Sequence, residues 1–135
     1  MAMTIVIVDD IPLNALLIKN YVRKLDGVEP PVTFSDPVAA LAWCGERLPD
    51  VVLVDLQMPE MDGIEFVARL RALPNAGSVA VLVVTGQEDA GLLAGALAAG
   101  ADDFLRKPIE ELELSARVKV MMRLRRLQSG FDFAK

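Results

Sequence analysis

The chain has 135 residues, enough for one domain with little room for a second. It is 53% hydrophobic but only 5% aromatic, so its core should be built from Val, Leu, Ile and Ala. A formal charge of -5 argues against nucleic-acid binding, the single Cys44 excludes an internal disulfide, and a histidine count of 0 removes every Ser-His, Cys-His and His-metal arrangement.

The first predicted element, Ile5 to Val8, is a continuous apolar run, as in a strand buried on both faces. It follows Thr4 directly, which is not a secretory leader, and no later apolar run approaches membrane-spanning length. A cytoplasmic chain with no membrane partner is expected. Leu13 to Leu25 carries Leu13, Leu16, Leu17, Tyr21 and Leu25 near helical spacing. Val32 to Phe34 is a weaker strand. Ser35-Asp36-Pro37 is a cap followed by Pro at the first helical position, and opens a helix to about Arg47 in which Trp43 and Cys44 read as packing residues. Val51 to Val54 is a second continuous apolar run. Asp62-Gly63 reads as turn and cap, leading into a helix from Ile64 to Leu73 before Pro74.

Val81 to Val84 is the third strong strand. Asp89 to Ala99 is an alanine-rich helix ending at Gly100, a C-terminal cap. Gly91 and Gly95 inside it predict a loosely held helix. Asp103 to Leu105 is a weaker strand. Pro108 starts a long amphipathic segment reaching about Leu127, so residues 1–127 are read as one domain and 128–135 as a tail or the start of a linker.

Strand then helix, five times over, implies an α/β fold. The expected architecture is a five-stranded parallel sheet in the flavodoxin-like order 2-1-3-4-5, with five helices in a three-layer sandwich. Such sheets bind ligands at the C-terminal strand ends. Those ends carry Asp9-Asp10, Asp55, Thr85 and Lys107-Pro108. In the expected order, three carboxylates, a hydroxyl and an ammonium share one crevice. Two unit charges about 4 Å apart repel by about 4 kcal/mol at an effective dielectric of about 20. One lysine cannot balance three acids, whereas a hard divalent cation can, and all-oxygen ligation suits Mg²⁺. A carboxylate beside Mg²⁺ and lysine is a nucleophile suited to phosphorus.

Four stretches now carry a resemblance. They are Val8-Asp9-Asp10; Asp55-Leu56-Gln57-Met58-Pro59-Glu60-Met61-Asp62-Gly63; Thr85-Gly86; and Gly100-Ala101-Asp102-Asp103-Phe104-Leu105-Arg106-Lys107-Pro108. In their order and spacing the chain resembles a response-regulator receiver domain of two-component signalling, over about residues 4–127. The resemblance implies a phosphoprotein switch and not an enzyme with a substrate of its own. Asp55 would be the phosphoacceptor. Asp10 would ligate Mg²⁺ directly, Asp9 mostly through water, and the Gln57 backbone carbonyl would complete the protein ligands together with Asp55. Lys107 and Thr85 would meet the phosphoryl oxygens. Phe104 would be the rotameric switch that follows Thr85, although many family members are similar with Tyr there. A cis Lys107-Pro108 bond is also implied, and Gln57 and Gln87 fall at positions that resemble tuners of hydrolysis.

The implied partners are a histidine kinase or phosphotransfer protein, and an output domain or target protein. A homodimer through the fourth helix, fifth strand and fifth helix is a further expectation. Residues 34–44 and 116–127 are similar to receivers that precede cyclic-di-GMP phosphodiesterase or cyclase domains. Two other readings compete. An aspartate-based phosphohydrolase resembles Asp-x-Asp at the nucleophile, but Asp55 is followed by Leu56 and Gln57. A pseudo-receiver would bind partners without phosphorylation. Gly91, Gly95 and Gly100 do not form G-x-G-x-x-G, so a dinucleotide reading fails. The basic group Arg117, Lys119, Arg123, Arg125 and Arg126 reads as the solvated face of the last helix, opposite Leu114, Val118, Met121, Leu124 and Leu127. That spacing could also continue as a short coiled-coil seam.

Overall fold

A computed structural model describes the backbone of residues 2–86 and 90–134, and side chains as far as residue 128. Five strands alternate with five helices. They are β1 (Ile5–Val8), α1 (Pro12–Val22), β2 (Val32–Phe34), α2 (Pro37–Glu46), β3 (Val51–Asp55), α3 (Gly63–Arg71), β4 (Ala80–Thr85), α4 (Ala90–Ala99), β5 (Asp103–Arg106) and α5 (Glu111–Ala134), with a short 3-10 turn at Ala76–Ser78. The strands form one parallel sheet in the order β2-β1-β3-β4-β5, as expected.

The alternation of side chains along a strand divides the core in two. Val6, Val8, Val52, Val54, Val81 and Val83 pack with residues of α2, α3 and α4, including Cys44, Phe66, Leu70 and Ala96. Ile5, Ile7, Val51, Leu53, Ala80 and Leu82 pack with residues of α1 and α5 on the other face. Every residue of β1, β3 and β4 is buried, which is why their runs lack a polar alternation.

Local chemistry sets the helix starts. Asp36 Oδ1 accepts from Val38 N at 2.9 Å, with Pro37 beginning α2. Asp62 Oδ1 accepts from Glu65 N at 2.9 Å and caps α3. Gly63 is required there, because a Cβ would lie 2.8 Å from Leu56 Cα and 3.2 Å from the Asp55 carbonyl. The start of α3 is thereby pressed against the end of β3.

Two expectations are corrected. In α1 the inward residues are Ala15, Ile18 and Val22, while Leu13 and Leu16 are 75% and 51% exposed. Both sets recur at helical spacing, so periodicity alone could not choose between them. The last helix begins at Glu111, not Pro108, with Leu114 N donating to the Glu110 carbonyl in its first turn. It also runs past Leu127 to Ala134. In α4, a Cβ on Gly95 would meet Ile64 Cδ1 at 2.5 Å, so that glycine lets α4 and α3 approach closely. The expected helix start at Asp89 and the position Gln87 lie outside the described residues.

Candidate phosphoacceptor site

The C-terminal edge of the sheet gathers the five polar side chains singled out in the sequence. Asp9 and Asp10 follow β1, Asp55 and Thr85 are the last residues of β3 and β4, and Lys107 follows β5. Parallel pairing brings these ends level, with Asp55 opposite Val84 and Thr85 opposite Arg106.

Asp55 is 3% exposed. Its Oδ2 accepts from Lys107 Nζ at 3.0 Å, and its Oδ1 from Gln57 N at 3.1 Å. Carboxylate oxygens of Asp9, Asp10 and Asp55 lie within 4.8 Å of one another. Asp9 Oδ1 accepts from Ile11 N at 2.9 Å. Its other oxygen, and one oxygen of Asp10, are buried with no hydrogen-bond partner. Burial pushes the Asp9 carboxyl up from 3.8 to about 6; the Ile11 N–H opposes this, and the Asp55 charge adds to it.

Buried carboxylate oxygens without donors are costly. Two such oxygens, on Asp9 and Asp10, converging with the Asp55 carboxylate and opposed by one ammonium, fit a hard divalent cation with oxygen ligands. Asp9, Asp10 and Asp55 are the side chains that would hold it. The Gln57 backbone lies against this group, its amide donating to Asp55 Oδ1.

Thr85 is fully buried. Its hydroxyl donates to the Gly86 carbonyl at 3.1 Å, and its own carbonyl accepts from Lys107 N at 2.8 Å. Phe104 pairs with Val83 in the β4–β5 register, and its ring is partly exposed at the margin of the α2–α3–α4 core. The Lys107-Pro108 bond is cis.

Sequence reasoning missed the partners of three arginines. Arg71 donates to the carbonyls of Gly100, Ala76 and Val79 and pairs with Asp102 at 3.1 Å. Arg125 pairs with Asp50 at 3.0 Å and donates to Ser78, and Arg117 pairs with Asp103 at 2.9 Å. The reading of Arg117 and Arg125 as merely solvated is therefore corrected, while Lys119, Arg123 and Arg126 are exposed.

A parallel α/β sheet with three carboxylates and a lysine gathered at its carboxyl edge defines a class of ligand-binding α/β domains whose site suits a cation and an anionic group. Comparison with known families makes this specific. Residues 5–119 match the response regulator receiver domain, and the chain belongs to that family. It is 37% identical over 125 residues to the cyclic di-GMP phosphodiesterase response regulator RpfG of Xanthomonas campestris pv. campestris, a match covering 93% of this chain and 33% of that protein. The chain thus spans about a third of that relative. Among solved structures, a response regulator from Chloroflexus aurantiacus superposes with a TM-score of 0.83 at 31% identity, covering 91% of this chain and 99% of that one. The receiver domain of the sensor histidine kinase PA1611 from Pseudomonas aeruginosa has a TM-score of 0.79 at 26% identity, covers 93% of this chain and 98% of its own, and carries a magnesium ion coordinated in its active-site cleft. Receiver domains are signalling switches of two-component systems. Among the described residues, no helix is long and apolar enough to cross a membrane.

Proposed function

We propose that this chain accepts a phosphoryl group on Asp55 from the phosphohistidine of a partner histidine kinase or phosphotransfer protein. Mg²⁺ would be held by Asp9, Asp10, Asp55 and the Gln57 carbonyl. The observation that carries the reading is the buried Asp55 carboxylate, bonded at once to Lys107 and to the Gln57 amide beside two further acids. Bound there, Mg²⁺ supplies positive charge for the oxygens of the transferring group.

A carboxylate oxygen of Asp55 attacks phosphorus while the P–N bond to the imidazole breaks, its electron pair leaving with the ring nitrogen. Lys107 then pairs with phosphoryl oxygens in place of Asp55 Oδ2. Thr85 gives up the Gly86 carbonyl to hydrogen-bond the phosphoryl group. Phe104 turns into the space this leaves, and the α4–β5–α5 face changes shape. Phosphorylation acts by biasing a two-state element. Moving such an element from 1:99 to 99:1 takes about 5.5 kcal/mol of differential interaction. Gln57 and Gln87 are the positions that would tune hydrolysis. The changed face is the surface for a homodimer or an output partner. The identity to RpfG supports a cyclic-di-GMP regulator as the setting of this domain.

The test is phosphoryl transfer from phosphoramidate, whose P–N bond stands in for phosphohistidine, followed by borohydride reduction and peptide mapping. Reduction products at Asp55 alone, abolished by a chelator, are expected. Label at another residue, or transfer indifferent to the chelator, would overturn the proposal.

A further inference from the structure

Phe104 presents a partly exposed aromatic ring that has no hydroxyl with which to meet water. Two cations cover it instead. The Arg106 guanidinium carbon lies 5.3 Å from the ring centroid and that of Arg117 lies 5.7 Å from it. Both are within the range of a cation–π contact. The second cation is itself fixed. Arg117 Nη1 pairs with Asp103 Oδ2 at 2.9 Å, and Asp103 Oδ1 accepts from Phe104 N at 2.8 Å. One carboxylate therefore ties the backbone of Phe104 to the guanidinium lying on its ring. Arg106 comes from β5 itself and Arg117 from α5, so the contact spans two elements.

We infer that Arg106 and Arg117 are positioning residues that latch the Phe104 ring outward in the unphosphorylated domain, with Asp103 fixing Arg117. This rests on the switch role given to Phe104 above, and supplies the restraint that such a switch must overcome. The structure is in the latched arrangement, with the Thr85 hydroxyl on the Gly86 carbonyl and both guanidiniums on the ring. A phenylalanine that turned inward would leave both cations behind. Phosphorylation must then outweigh the latch, and anything that draws Arg117 away from Asp103 primes the switch. Because linkage is reciprocal, loosening the latch also lowers the equilibrium cost of holding a phosphoryl group, or its mimic, at Asp55.

Each guanidinium removed should raise the ratio of inward to outward ring about two- to fivefold, and both together about five- to thirtyfold. The test follows phenylalanine ring resonances by NMR, using ring-labelled protein; the chain has 5 phenylalanines, and a Phe104→Leu sample assigns the signal. Beryllofluoride with Mg²⁺, which mimics an acyl phosphate, marks the inward position. In the untreated Arg106→Gln/Arg117→Gln variant the Phe104 signal should move toward that position, and a lower beryllofluoride concentration should saturate the site. Arg117→Lys, which keeps the charge and the Asp103 partner, should stay close to the parent. Arg106→Gln alone, at an exposed position, should show the smaller shift whether or not the double variant folds well. If the parent signal does not respond to beryllofluoride, the switch reading itself fails, and the latch with it. If the parent responds but the untreated Gln variants coincide with the untreated parent, the latch alone is overturned.

Discussion

The two ends of the sheet carry the same residue type in opposite states. At the base, Asp50 accepts from Thr4 N at 2.8 Å and from Arg125 at 3.0 Å, and Asp102 accepts from Val81 N at 2.8 Å and from Arg71 at 3.1 Å. Each basal carboxylate has a backbone donor and a guanidinium. At the carboxyl edge, Asp55 has Lys107 and the Gln57 amide, but beside it Asp9 Oδ2 and Asp10 Oδ1 are buried with no partner at all. Aspartate at the base closes the structure, joining strands to helices through arginine, with Arg125 also reaching the 3-10 turn at Ser78. At the edge, Asp9 and Asp10 are left incomplete around Asp55, and the site is legible in that incompleteness.

The contrast can be broken first at the base. Arg71→Ala should lose several hydrogen bonds and leave Asp102 without its cation, lowering stability by about 2 to 4 kcal/mol. Urea unfolding measures this. The folded fraction should still accept a phosphoryl group, because Arg71 lies at the other end of the sheet. A variant as stable as the parent would show that the basal network is not what holds α4 and β5 in place.

At the edge, the same kind of change should act in the opposite direction. Without divalent cations, Asp9→Asn should stabilise the fold by on the order of 1 to 3 kcal/mol above about pH 6, where the buried carboxylate is charged at a cost the unfolded chain does not bear. As pH falls from about 6 toward 3.8, the folded parent takes up a proton that the unfolded chain does not yet hold. The parent regains stability over that window and the advantage of the Asn variant fades. Unfolding in chelator across this pH range reads the difference. A destabilised Asn variant at neutral pH would mean that the edge acids are as well satisfied as the basal ones.

The smallest effect concerns a buried group with no role in either network. Burial pushes the Cys44 thiol up to about 11, so alkylation at pH 8 should be slow in the folded protein and should follow its unfolding. Fast alkylation in native buffer would show that α2 opens readily.

Much of this was open to sequence reading. The strands β1, β3 and β4 announce themselves as apolar runs because all their residues are buried. Asp9, Asp10, Asp55 and Thr85 come at the ends of those runs and Lys107 follows the weaker β5, so the topology alone brings the five together. What stayed hidden depends on tertiary neighbours. The outward turn of Leu13 and Leu16 is settled by how α1 seats on β1, not by a period that both faces share. Arg71, Arg117 and Arg125 look like ordinary surface charges until Asp102, Asp103 and Asp50 arrive beside them from distant positions. The seat of Gly95 against Ile64 is equally invisible in a helix read by itself.

The central claim is that the incomplete edge, and not the closed base, does the chemistry. Intact mass after incubation with acetyl phosphate and Mg²⁺ tests it most directly, with Asp55→Asn and Asp102→Asn run beside the parent. The account predicts one phosphoryl adduct on the parent and on the folded Asp102→Asn protein, and none on Asp55→Asn or on the parent in chelator. An adduct that persists in Asp55→Asn, or no adduct on a parent that binds Mg²⁺, would contradict it.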